Sequence, residues 1–286
     1  FDLSWYDAVC HAFTTISTGG FSTQSLSIEG FQNPALEWCI IFFMILGATS
    51  FILMIRLLQG DFRQVRRNNE LHAFFVILVI ATLLVAILRV EATGRIEMPE
   101  QFRKAAFQVV SIMTTTGYST DNFAAWQTPA KMILLSLMLI GGCTSSTAGG
   151  AKVVRILILF HVLRMSIERA FRPHVVRPIR VNGKILTREN RDNAIGFLNL
   201  MISLLLISVL GLSLIEHQES VATAFSIVYC TLFNIGPGLD QVGPHSNFGF
   251  LQPASKYILS LLMVMGRLEL YAVLVLFLPS LWKKFS

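Results

Sequence analysis

Apolar residues fall in long unbroken blocks along this chain, with neither the alternation of a sheet nor the narrow stripe of a soluble helix. The blocks are Ile40–Ile55, Ala73–Leu88, Met132–Leu139, Val153–Leu163, Ala194–Ile215 and Tyr257–Leu278. Helices that are apolar all round lie in a large core or in lipid. A helical run of about 18 or more such residues is long enough to cross a hydrocarbon layer of about 30 Å. The pattern predicts spans near Ala35–Leu57, Leu71–Arg89, Ala130–Leu163, Ala194–Ile215 and Ala254–Leu278.

Three further apolar stretches, each roughly 12 residues long, are too short to cross. Ala8–Gly20, Ala105–Gly117 and Ala224–Gly236 align without a gap. Each ends in Thr or Asn, one further residue, then Gly: Thr18-Gly19-Gly20, Thr115-Thr116-Gly117 and Asn234-Ile235-Gly236. A bulky residue follows each time, Phe21, Tyr118 or Pro237. This predicts three re-entrant half-helices, each closed by an extended turn. A second alignment runs in step with the first. Pro34, Pro129 and Pro253 each open an apolar run and are followed at equal spacing by Gly47, Gly142 and Gly266. Pro suits the first turn of a helix. Asn33 and Thr128 are good N-caps before two of these prolines, and Gln252 is a poorer one. The predicted fold is therefore an all-α polytopic membrane protein. Its units are helix–pore-loop–helix (M1-P-M2) repeats around a central cation pore, with one small cytoplasmic β-hairpin. The hairpin is expected over His174–Thr187, where Val181-Asn182-Gly183-Lys184 carries the Asn-Gly pair of a two-residue turn. A solvated basic loop is the plain alternative there.

Composition agrees with a membrane location: 53% of residues are apolar and 14% charged, against about 25% charged in a soluble domain. The net charge of +6 does not point to nucleic acid, because the cations are sorted by connection. Arg63, Arg66 and Arg67 follow one span, and Arg169 to Arg191 fill another connection, whereas Glu216–Ser220 holds two acids and no Lys or Arg. Basic connections mark the cytoplasmic side. The start of the chain then lies outside with the three re-entrant stretches, and the C-terminus, Trp282-Lys-Lys-Phe-Ser, lies inside. Cys10, Cys39, Cys143 and Cys230 form no CxxC pair, and neither a disulfide nor a metal cluster is expected from them. The chain opens on Phe1 in mid-motif and reads as truncated there. HExxH, GxSxG and paired intramembrane Asp are absent from the sequence, so no enzyme is predicted.

Irregular backbone cannot face lipid, since each unpaired N–H or C=O there costs several kcal/mol. Three Gly turns at membrane depth must face one another or water. Converging carbonyls replace the hydration shell of a cation, and neighbouring Thr and Ser can add hydroxyl oxygens. A second irregular stretch interrupts the Ala130–Leu163 block: Gly141, Gly142, Cys143, Thr144, Ser145, Ser146, Thr147, Ala148, Gly149 and Gly150. A kinked helix is its plain reading. Lys152, just beyond, is expected to face the cytoplasm and not to act as a ligand. Arg267 follows Gly266 in mid-span, where a charge is costly and faces a bundle interior or a water cavity. An ion pair with an acid elsewhere is its plain reading. Glu269 does not share its helix face.

These residues resemble the superfamily of K⁺ transporters (Trk/Ktr/HKT), and within it the TrkH/TrkG potassium-uptake subunits. The resemblance rests on the repeats and on Thr115-Thr-Gly-Tyr-Ser119, and it covers nearly the whole chain. That family has four repeats around one pore, of which three are visible. The resemblance implies that residues 1–60 hold the pore loop and second helix of repeat 2. Residues 61–165 form repeat 3 with its broken second helix, 166–192 a cytoplasmic connection with the hairpin, and 193–286 repeat 4. It implies potassium uptake, with K⁺ held at filter carbonyls of Thr18, Gly19, Gly20, Thr115, Thr116, Gly117, Asn234, Ile235 and Gly236, and no organic cofactor. It implies that the stretch from Gly141 to Gly150 closes the pore beneath the filter and that Arg267 opposes cation passage. It further implies a cell inner-membrane location, a homodimer in lipid, and a cytoplasmic nucleotide-binding regulatory subunit (TrkA-like). A Na⁺-conducting protein or an H⁺- or Na⁺-coupled symporter of the same superfamily is the alternative. Coupling would call on buried carboxylates, for which Glu37 and Glu269 are the sparse candidates.

Overall fold

The structure is a computed structural model that describes residues 3–93, 97–172, 180–277 and 279–282. Phe1, residues 174–179 of the expected hairpin and the basic C-terminal residues 283–286 lie outside the described residues.

The chain opens with α1 (Trp5–Ile16), capped by Ser4, whose hydroxyl accepts from the Asp7 amide. An outer loop leads to α2 (Pro34–Ala48), where Asn33 Oδ1 accepts from the amides of Ala35 and Leu36. The predicted span Ala35–Leu57 is not one helix. It breaks at Thr49 and Ser50, and α3 (Phe51–Leu58) leaves at 99° to α2. The Thr49 hydroxyl caps the end of α2 by donating to the Leu46 carbonyl. The groups freed by the break are satisfied from outside: the Cys143 amide donates to Ala48 O at 2.9 Å, and the Phe51 amide to Ser145 O at 3.0 Å.

After the short α4 (Phe62–Arg66) come α5 (Asn69–Thr93) and α6 (Met98–Met113). Next are α7 (Thr128–Ile140) and α8 (Val153–Phe171), separated by the irregular stretch foreseen in the sequence. Thr128 is not the N-cap of α7. Gln127 holds that position without a side-chain bond. Two short strands, β1 (Arg180–Val181) and β2 (Lys184–Ile185), pair antiparallel around Asn182 and Gly183. Both turn residues have positive φ, 51° and 77°, as a two-residue primed turn requires. The chain ends through α9 (Arg188–Ile215), α10 (Val221–Leu232), α11 (Pro253–Leu268), α12 (Leu270–Val275) and α13 (Pro279–Trp282). The predicted span Ala254–Leu278 is thus also divided, at Glu269, which sits at φ 67°.

Among the described residues two helices, α5 and α9, are singly long and apolar enough to cross a membrane. On α5 one face is buried (Phe74, Leu78, Ala81, Val85) while Val76, Val79, Ile80, Leu83, Leu84 and Ile87 are exposed. An exposed apolar face at helical spacing is what lipid contact demands. Two of the short helices, α6 and α10, are the opposite. Every residue of α6 from Ala105 to Met113 is buried, as are nearly all of α10 from Thr223 onward. α6 and α10 therefore lie at the centre of the molecule, whereas α1 buries only His11 and Thr15 and leaves Trp5, Tyr6 and Phe13 exposed.

Candidate functional site

The helices α1, α6 and α10 end in the same way. The residue after each C-cap turns left-handed: Thr18 at φ 49°, Thr115 at 55° and Asn234 at 58°. The next amide folds back five residues, Gly19 N–H to Thr14 O (2.7 Å), Thr116 N–H to Ser111 O (2.9 Å) and Ile235 N–H to Cys230 O (2.9 Å). This is the helix-ending turn in which a left-handed residue satisfies the orphan carbonyls of the last turn. Two residues on, Gly20, Gly117 and Gly236 are again at positive φ, 69°, 86° and 96°.

The turns also meet one another. A Cβ on Gly20 would overlap the Thr116 carbonyl, and one on Gly117 would overlap the Ile235 carbonyl. Glycine is needed at both for backbone angle and for space. Gly20, Gly117 and Gly236 line one cavity of about 270 Å³ with Phe21, Ser119 and Pro237, and no charged side chain lines it among the described residues. Behind the turns, Tyr118 is fully buried with its hydroxyl 2.5 Å from Thr14 Oγ1, and its carbonyl accepts from Ser111 Oγ at 2.6 Å. The first bond ties the second turn to α1, and the second ties it to its own helix α6. In the sequence Tyr118 stands out for its bulk and for its place in Thr115-Thr-Gly-Tyr-Ser119, not for this contact. Its signal was a hydroxyl on a buried aromatic, which calls for a partner.

Directly under the turns lies the irregular stretch between α7 and α8. It is a loop, not a kinked helix. Gly141 and Gly150, at φ 75° and 76°, form its neck: a Cβ on Gly150 would lie 2.8 Å from Gly141 Cα. Gly142 packs on Ala48, and Cys143 is buried. The Thr144 amide and hydroxyl both donate to Glu70 Oε1, at 2.6 and 2.9 Å. Ser145 bonds Phe51 as above, and Ser146 Oγ donates to Cys143 O. The Thr147 hydroxyl reaches the carbonyls of Ile16 and Gly47. Each turn above touches this loop. Thr18 Oγ1 donates to Thr147 O at 3.0 Å, and the Gly149 amide donates to Thr115 Oγ1 at 2.7 Å. A Cβ on Gly149 would stand 3.2 Å from Asn234 Cβ. The threonine hydroxyls expected to add oxygens above are engaged below.

Arg267 approaches the same place from α11. Its guanidinium donates to Ser17 O at 2.5 Å and to Thr18 Oγ1 at 3.2 Å. No acid pairs with it among the described residues; Glu269 pairs instead with Arg155 (2.7 Å) and Glu37 with Arg103 (2.8 Å). Lys152 departs from expectation. It is buried, not turned to the cytoplasm, and its ammonium donates to Ala148 O within the loop. Glu70 and Lys152 were missed as loop contacts because their partners are distant in sequence or hidden by the fold of the loop.

A sequence-family profile described as TrkH, cation transport protein, matches residues 3–284. The Trk system potassium uptake protein TrkH of Escherichia coli (strain K12) is 35% identical over 284 residues, covering 98% of this chain and 57% of that protein. TrkI of Halomonas elongata is 34% identical over 285 residues, covering 99% and 57%. The crystal structure of the potassium transporter TrkH from Vibrio parahaemolyticus superposes with a TM-score of 0.90 at 33% identity, covering 98% of this chain and 60% of that one. The chain thus spans somewhat over half the length of the relatives it matches.

Proposed function

Starting from the premise that this chain belongs to the TrkH family of cation transport proteins, we propose that it forms most of a potassium-uptake pathway in the cell inner membrane. Its filter is the set of turns at Thr18-Gly19-Gly20, Thr115-Thr116-Gly117 and Asn234-Ile235-Gly236, with dehydrated K⁺ held by backbone carbonyls. The chain is read as three helix–pore-loop–helix repeats with the divisions given above, its first residues outside and its C-terminus in the cytoplasm. The observation that carries this reading is the convergence of three identically bent turns on one uncharged cavity.

The gate is the loop from Gly141 to Gly150 with Arg267. The loop fills the space beneath all three turns, and the guanidinium beside Thr18 repels a cation leaving the filter. Arginine keeps its charge at any usable pH, so this repulsion is relieved by movement and not by proton loss. The regulator is a TrkA-like nucleotide-binding subunit at the cytoplasmic face, and the assembly is a homodimer. Coupled symport finds no support in Glu37 and Glu269, which are each held by an arginine. The test is flux of K⁺, Rb⁺ and Na⁺ through the full-length protein in liposomes. Preference for K⁺ and Rb⁺ is expected; equal passage of Na⁺ would overturn the potassium assignment.

A further inference from the structure

Glu70 is 4% exposed, and among the described residues it enters no ion pair. Arginines are close at hand, since Arg56, Arg63, Arg67 and Arg155 line the same open cavity of about 1470 Å³ as Glu70 and Thr144. The carboxylate instead spends one oxygen twice on the loop, taking the Thr144 amide at 2.6 Å and its hydroxyl at 2.9 Å. Bonds to an ionised acceptor are the strong kind. Glu70 lies in the first turn of α5, where backbone amides have no partner within the helix. Asn68 caps the Leu71 amide at 2.8 Å. The Glu70 amide is taken by a residue far along the chain, Asn182 Oδ1, at 3.2 Å. Asn182 is in the turn between β1 and β2, and that hairpin is seated by Val181 on Ile158 of α8 and Ala194 of α9.

The geometry points to a relay: Glu70 is the positioning residue for the entry of the loop, and Asn182 sets Glu70, so that the hairpin is wired to the loop. A partner or ligand that displaces the hairpin from the cytoplasmic cavity removes the cap on Glu70, shifts its carboxylate and frees Thr144. The inference rests on the reading of this loop as the gate for its effect on flux, but the mechanical link does not.

The test uses the full-length protein, with amide exchange of the 141–150 segment and Rb⁺ uptake measured side by side. Glu70→Ala is expected to speed exchange of that segment about tenfold, the scale of one lost charge-assisted bond, and to raise resting uptake. Glu70→Gln keeps an acceptor but loses its charge, so its exchange is expected to fall between wild type and Glu70→Ala. Asn182→Gly keeps the left-handed backbone and deletes only the acceptor, so it speeds exchange about threefold, while Asn182→Asp restores it. Unchanged exchange in Glu70→Ala or in Asn182→Gly overturns the relay. If Glu70→Ala does not fold, Asn182→Gly on its partly exposed turn decides alone. Faster exchange with unchanged uptake leaves the relay standing and removes the gate reading instead.

Discussion

At the level of Gly20, Gly117 and Gly236, each turn is closed by its own short helix through the same backbone bond and the same pair of positive φ angles. One layer below, the helices that follow are each interrupted, yet no two interruptions match. The break after α2 is two residues long and bends 99°. The one after α7 is a loop with a glycine neck, and the one after α11 is the single left-handed residue Glu269. The upper layer uses backbone, so Thr, Thr and Asn serve alike at one position and Gly, Thr and Ile at the next. The lower layer uses side chains that occur once: Glu70, Lys152, Arg267 and Thr147. Coordination of an ion from all sides asks for sameness, whereas a barrier on one side of the axis needs only one copy.

Damage to the uniform layer should have the largest effect. Gly117→Ser places an L-residue at φ 86°, costing about 1–2 kcal/mol, and drives its Cβ into the Ile235 carbonyl. We expect the K⁺ over Na⁺ permeability ratio of the full-length protein to fall by about tenfold or more, measured by competing fluxes. Damage to the lower layer should spare selectivity and change the resting rate. Deleting Cys143–Thr147 removes the contacts to Ala48, Glu70, Thr18 and Ile16 and should raise resting K⁺ flux about tenfold, a barrier change of about 1.4 kcal/mol. Flux at or below wild type in a folded deletion would sink the gate.

Arg267→Ala should raise resting uptake about fivefold. Repulsion between unit charges at about 4 Å is on the order of 4 kcal/mol at a surface-like dielectric, and a quarter of that suffices. Arg267→Lys keeps the charge and should keep most of the block. Among the described residues no acid is orphaned by either change, so uptake normalised to folded protein separates charge from folding. The smallest effect sharpens the comparison between the two layers. A Cβ at Gly266 would overlap Leu232 O, while one at Gly47 would stand 3.0 Å from the equivalent Ile16 O. Gly266→Ala should cost about 1–3 kcal/mol by overpacking and Gly47→Ala about 1 or less. Thermal melting of the two variants orders them, and equal melting points would mean that these glycines do not hold the short helices.

The sequence discloses the upper layer well, because a left-handed backbone restricts residue choice and leaves Gly at a fixed spacing. It discloses the loop for the same reason, through Gly141 and Gly150. The other two breaks are hidden. Residues on both sides of Thr49 and Ser50 stay apolar, so a hydropathy reading runs straight through. Gly47-Ala-Thr-Ser was the available sign, hydroxyl residues able to cap both helix ends. Glu269 offers no local sign: a carboxylate at positive φ is unfavourable, and what holds it, Arg155, is 114 residues away. Lys152 is hidden too, because a lysine beside a polar, glycine-rich stretch ordinarily reaches water, and here the loop folds over it.

The neck of the loop carries one more consequence. Gly141 and Gly150 touch, so the excursion leaves and rejoins the wall at a single point, as in a compact surface loop with adjoining ends. Swinging such a flap alters neither the spacing of α7 and α8 nor the cross-section the molecule occupies among the lipids. Gating by this route does no work against lateral tension, and its rate should be indifferent to bilayer thickness and stretch.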